Sequence, residues 1–113
     1  MDDPDLLRII TDILTLEGWK PVPASSGETA IEALQSGVFD LMLLDLNLPD
    51  MTGWRVLEAA REVDPSMPVV ILTAIETNAT RQQATAAGVK DYLTKPVSAH
   101  DLMAVLRRNL GES

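Results

Sequence analysis

The sequence predicts a doubly wound α/β domain, a parallel sheet with helices on both faces. Three observations predict it. Leu41-Met42-Leu43-Leu44 and Val69-Val70-Ile71-Leu72 are short unbroken apolar runs, the pattern of strands buried on both faces. Segments with apolar residues at helical spacing separate such runs, so strand and helix alternate. Three successive strands then end in a polar group: Asp45, Thr73 and Lys95. In a parallel sheet those ends converge on one edge, the edge where ligands bind in open α/β sheets.

The elements follow in order. Asp3-Pro4 reads as an N-cap with proline in the first helical turn. Leu6, Leu7, Ile9, Ile10, Ile13 and Leu14 recur at helical spacing, and Gly18 closes that helix. Trp19 to Ala24 is expected as a strand. Its prolines, Pro21 and Pro23, put two missing N–H groups on the same side, which predicts an edge. Ser26 or Ser25 caps a second helix ending near Gly37, with Ala30, Ile31 and Leu34 inward. After the Leu41 run, Asn47, Pro49, Asp50 and Gly53 form a loop. A third helix from about Trp54 to Val63 packs Val56, Leu57 and Ala60. Asp64-Pro65-Ser66-Met67-Pro68 turns into the Val69 strand. Ala79 to Ala87 is a weakly apolar fourth helix closed by Gly88, and Val89 to Thr94 is the next strand. Ser98 to Asp101 resembles a capping box that opens the last helix, with Leu102, Val105, Leu106 and Leu110 on one face.

At 113 residues the chain is one domain with a single core. It has no cysteine, which excludes disulfides and thiolate metal sites. Its formal net charge of -8 argues against direct nucleic-acid binding, which needs a basic face. No apolar run reaches the length of a membrane span and no leader pattern is present, so a cytoplasmic protein is expected. The tail Gly111-Glu112-Ser113 is too short to hold an output domain.

Any one of the polar strand ends has an ordinary explanation. An aspartate can simply stop a strand, a threonine is a common strand residue, and a lysine often sits on an exposed loop. Taken together, Asp45 with Pro49 and Gly53, then Thr73-Ala74, then Lys95-Pro96 resemble the receiver domain of two-component response regulators, of the chemotaxis-regulator type. The resemblance spans the whole chain. It implies a flavodoxin-like sheet of strand order 2-1-3-4-5 with right-handed crossovers. Two helices should lie on one face and three on the other.

The resemblance also implies a chemistry. Asp45 would be the nucleophile and phosphorylation site, forming an aspartyl phosphate. Magnesium would be held by Asp45, the backbone carbonyl of Asn47 and Asp2, leaving Asp3 as the helix cap. Acids at a helix start also simply favour its dipole, which is the plain alternative for Asp2. Lys95 would reach a phosphoryl oxygen, with a cis peptide before Pro96. Thr73 would donate its hydroxyl to the phosphoryl group, with Tyr92 as the aromatic that moves behind it. The plain alternative for Tyr92 is an amphipathic side chain with its hydroxyl in water. The implied partner is a sensor histidine kinase or phosphotransfer protein. The fourth helix, the Tyr92 strand and the last helix would form the switched face, where a homodimer would also assemble. Such a protein is no enzyme in the ordinary sense, since it assists only its own phosphorylation and dephosphorylation.

His100 stands alone at a helix start and is expected to be exposed. Trp19 and Trp54 are expected in packing, with Trp54 near the phosphorylation loop. Ile75 cannot orient an attacking water, so slow self-dephosphorylation is expected. The alternative to a phosphorylated switch is a pseudo-receiver, an interaction module independent of phosphate. A phosphatase of the haloacid dehalogenase type would need an aspartate at position 47, which is Asn47.

Receiver domains begin with an apolar strand ending in two acids. This chain starts Met1-Asp2-Asp3, so the receiver domain assigned to residues 1–113 is expected to be N-terminally truncated, without its first strand. Ungapped counting puts Met1 on the first acid and Asp2 on the second. The gap would otherwise be filled by rearrangement or by another chain.

Overall fold

The computed structural model describes residues 3–74, 77–89 and 91–111. The elements run α1 (Pro4–Leu16), α2 (Gly27–Ser36), β1 (Met42–Asp45), α3 (Gly53–Val63), β2 (Val69–Thr73), α4 (Asn78–Ala86), β3 (Asp91–Thr94) and α5 (Ala99–Asn109). The strands form one parallel sheet in the order β1-β2-β3. Met42 pairs with Val69 and Val70 with Asp91, so the three carboxyl ends fall side by side.

The local signals in the sequence account for the helix ends. Asp3 accepts from the N–H groups of Asp5 and Leu6 at the start of α1, with Pro4 at its first position. Ser26, not Ser25, caps α2 through the Thr29 N–H. Ser98 caps α5 through the Asp101 N–H. Gly18 and Gly88 adopt positive φ just past α1 and α4, as a helix terminator requires.

β2 sorts the core because its side chains alternate between faces. Val69 and Ile71 pack with Leu34 of α2, Val56, Leu57 and Ala60 of α3 and Ala84 of α4. Val70 and Leu72 pack with Ile10 of α1 and Leu102 and Leu106 of α5. Three helices therefore cover one face and two the other, as expected. Ile9, one of the apolar residues at helical spacing, is half exposed, since the buried stripe of α1 runs through Ile10. α4 has a single buried side chain, Ala84.

The expected edge strand Trp19 to Ala24 is a correction: the segment crosses the fold without strand structure. Pro21 and Pro23 cannot donate on one side. On the other side no described strand lies beside it, and a strand without a ladder leaves its backbone groups unpaired. Among the described residues no strand precedes α1 either. A cavity of about 1030 Å³ lies between that segment and β1, walled by Leu7, Ile10 and Leu14 of α1, by Leu41 and Leu43, and by Leu106 of α5.

Candidate functional site

β1 ends in a carboxylate that the fold buries. Leu44 and Asp45 are its two buried positions, and Asp45 is 3% exposed. Asp45 Oδ1 accepts the Asn47 N–H at 2.9 Å, a short-range bond that turns the chain out of the strand. Oδ2 accepts from Lys95 Nζ at 2.7 Å. The loop after Asp45 is closed at its base by an Asn47–Thr52 bridge and by the Gly53 N–H donating to the Leu46 carbonyl at 2.9 Å. Gly53 is needed there for space: a Cβ would lie 2.6 Å from the Asp45 carbonyl oxygen.

Lys95 follows β3, and its N–H donates to the Thr73 carbonyl at 2.8 Å. That bond carries the end of β3 along β2 toward Asp45. The Lys95–Pro96 peptide is cis, as expected. Thr73 is buried at the end of β2, between the other two. Asp45, Asn47, Thr73 and Lys95 thus meet at one sheet edge. The Lys95 side chain keeps contact with solvent, 18% exposed against 1% for that of Asp45.

Tyr92 lies half-buried on β3. Its hydroxyl donates to the Thr80 carbonyl of α4 at 2.8 Å, and the Arg81 guanidinium stands 5.8 Å from the ring centre. Trp54 is half-buried against the α3 core, and His100 is exposed, both as expected. Asp2 and Ile75, assigned from sequence to the metal and to dephosphorylation, lie outside the described residues.

Two side-chain contacts escaped the sequence reading. Asp50 reaches from the loop to the start of α2, where Oδ1 accepts the Gly27 N–H at 2.8 Å and Oδ2 the Glu28 N–H at 3.0 Å. These two N–H groups, Gly27 first, hold its carboxyl below the ordinary aspartate range. Arg61 of α3 donates to the Ala87 carbonyl at the end of α4, at 3.1 Å. Both are contacts between distant elements, and no local spacing announces them.

Residues 1–107 match the family described as the response regulator receiver domain. The chain belongs to that family. This receiver is 38% identical over 106 residues to a probable transcriptional regulatory protein, TcrX of Mycobacterium tuberculosis, covering 94% of this chain and 45% of that protein. The chain therefore spans less than half the length of that relative. In structure it resembles a CheY-like response regulator receiver domain protein from Methanospirillum hungatei, with a TM-score of 0.92 and 29% identity over 97% of this chain and 88% of that one. The receiver domain of a sensor histidine kinase from Pseudomonas aeruginosa, solved with a magnesium ion coordinated in its active site cleft, aligns with a TM-score of 0.86 and 26% identity over 98% of this chain and 93% of the other. No described helix of the receiver is long and apolar enough to cross a membrane.

Proposed function

We propose that this receiver accepts a phosphoryl group on Asp45 and that the modification switches a protein-binding face. The observation that carries this reading is the buried Asp45 carboxylate, bonded to Lys95 at the carboxyl edge of a parallel sheet. In the transfer, an Asp45 carboxylate oxygen forms a bond to phosphorus. The bond from phosphorus to the donor's nitrogen or oxygen breaks, and its electron pair leaves with the donor. Lys95 sheds its ion pair with Asp45 and turns to a phosphoryl oxygen, so the ammonium is never left without an anion. Thr73 donates its hydroxyl to another phosphoryl oxygen.

The donor set fits a magnesium ion. Asp45 and the Asn47 carbonyl are hard oxygen ligands, and magnesium keeps several waters beside one or two carboxylates. Asp2 is proposed as the further ligand, since ungapped counting back from Asp45 puts it on the second acid of the receiver pattern. Bound there, the ion would neutralise charge on the transferring phosphoryl group. The proposed donor is a sensor histidine kinase or phosphotransfer protein of the cytoplasm. Residues 1–113 are taken as one receiver unit that assists only its own phosphorylation and dephosphorylation. The output face is α4, β3 and α5, through Thr73 and Tyr92, and this is where a homodimer would form. α4 suits that role because it buries a single side chain, Ala84, in the core.

Incubation with acetyl phosphate and magnesium, followed by intact mass, tests the reading. One added phosphoryl group is expected on the wild type and none on Asp45→Asn. An unmodified wild type would point to a phosphate-independent interaction module. A phosphorylated Asp45→Asn would displace the site.

A further inference from the structure

The start of α2 leaves four N–H groups, those of Ser26, Gly27, Glu28 and Thr29, without backbone partners inside the helix, and the Thr29 hydroxyl accepts that of Ser26. Ser26 satisfies only Thr29. Gly27 and Glu28 are satisfied by Asp50, respectively 23 and 22 residues further along the chain. A helix cap is ordinarily local. Here half of it comes from the tip of the loop that follows the phosphoacceptor.

The packing beside that bond is equally specific. Gly27 is buried, and a Cβ there would overlap the Cγ and Sδ of Met51. Its backbone is not in the left-handed region, so what calls for glycine is the close approach of Met51 and not the conformation. The loop tip is therefore seated on α2 twice, through the Asp50 carboxylate and through Met51 in the space of a missing side chain.

The same loop is tied at its base to the reacting group. Asn47 and Thr52 bridge across it, and the Asn47 N–H holds Asp45 Oδ1. Asp50 and Met51 are the two residues before Thr52 in the chain. A shift of the tip moves Thr52, and through the bridge it moves Asn47. We infer that Asp50 is a positioning residue: by clamping the loop tip to the start of α2, it sets the orientation of Asn47 and of the Asp45 carboxylate. α2, which contributes no group to the site, thereby controls how well the site accepts a phosphoryl group. The rate consequence rests on the reading of Asp45 as phosphoacceptor. The clamp itself does not.

Five variants test it: Asp50→Ala, Asp50→Asn, Gly27→Ala, Met51→Ala and the double variant Gly27→Ala/Met51→Ala. For each, amide exchange of Asn47 is measured together with the rate of phosphoryl gain from acetyl phosphate, well below the melting temperature. Asp50→Ala is expected to speed Asn47 exchange and to slow phosphorylation by roughly ten- to a hundredfold, the scale of a small misplacement of reacting groups. Asp50→Asn, which keeps an acceptor oxygen, is expected to fall between. Gly27→Ala should slow the reaction by displacing Met51, and the double variant should recover toward the rate of Met51→Ala alone. A cap that serves only the helix would lower the melting temperature and leave Asn47 exchange and the rate at wild-type values, which would overturn the inference. If the wild type takes up no phosphoryl group, the phosphoacceptor reading falls. The clamp is then decided by Asn47 exchange, and an unchanged value in Asp50→Ala overturns it.

Discussion

Lys95 Nζ and Asp45 Oδ2 lie 2.7 Å apart, although β2 separates the strands that carry them and 50 residues separate them in the chain. Two strand ends that never pair are joined by one ion pair across the top of the sheet. Replacing Lys95 with methionine leaves the carboxylate buried with only the Asn47 N–H. The expected cost is about 3–5 kcal/mol, the penalty of a buried charge that loses its partner. Urea unfolding of the wild type and Lys95→Met measures it, and phosphorylation by acetyl phosphate should slow in the same variant. Equal stabilities and equal rates would show that the ion pair does neither job.

Tyr92 and Thr80 provide a second test. The hydroxyl of Tyr92 donates to the Thr80 carbonyl and holds α4 against the end of β3. Tyr92→Phe removes that bond, at an expected cost of about 0.5–1.5 kcal/mol. Amide exchange should quicken in α4 and stay unchanged in α1. Beryllofluoride added to the wild type should alter exchange first in the same helix. A response confined to α1 and α2 would remove the output face from this part of the molecule.

The turn before β2 has an acid limit. Asp64 accepts from the Ser66 hydroxyl at 2.8 Å and from its N–H at 3.0 Å, and those two bonds, the hydroxyl first, hold its carboxyl below the ordinary 3.8. A carboxyl lowered by folding contributes stability above its unfolded pKa and loses it as pH falls through the folded one. The melting-temperature gap between wild type and Asp64→Ala should therefore hold from neutral pH down to about 3.8 and close below it. A gap that widens toward acid would reverse the assignment.

The cavity beside β1 makes the two sides of the sheet unequal. Leu72 is fully buried, so Leu72→Ala is expected to cost about 2–5 kcal/mol. Leu43 is half-buried and lines the cavity. Leu43→Ala should cost less, since a side chain facing open space has already lost part of its contacts. Fusing an apolar strand of about seven residues before Met1, ending in aspartate, should raise the melting temperature and tighten magnesium binding. A scrambled polar segment of the same length should do neither. If both fusions behave alike, the cavity is no strand site.

The sequence by itself determined the elements whose causes are local. The apolar runs at Leu41 and Val69 became strands, β1 partly buried and β2 buried throughout, because short apolar runs bounded by turn residues favour strand over helix. Asp3, Ser26 and Ser98 capped their helices because a cap acts within three residues. Asp45, Thr73 and Lys95 were legible as a group because parallel strands must bring their carboxyl ends to one edge.

Only the tertiary structure decided the rest, and the reason in each case is a partner far away in the chain. Trp19 to Ala24 has the composition of an edge strand, but a strand exists only beside another strand, and none of the described ones is there. Asp50 looked like an ordinary turn residue until the start of α2 was brought to it. Tyr92 could have faced water or the interior by its own chemistry. It bonds α4 because a carbonyl lies 2.8 Å from its hydroxyl, and that distance is set by how α4 packs on the sheet.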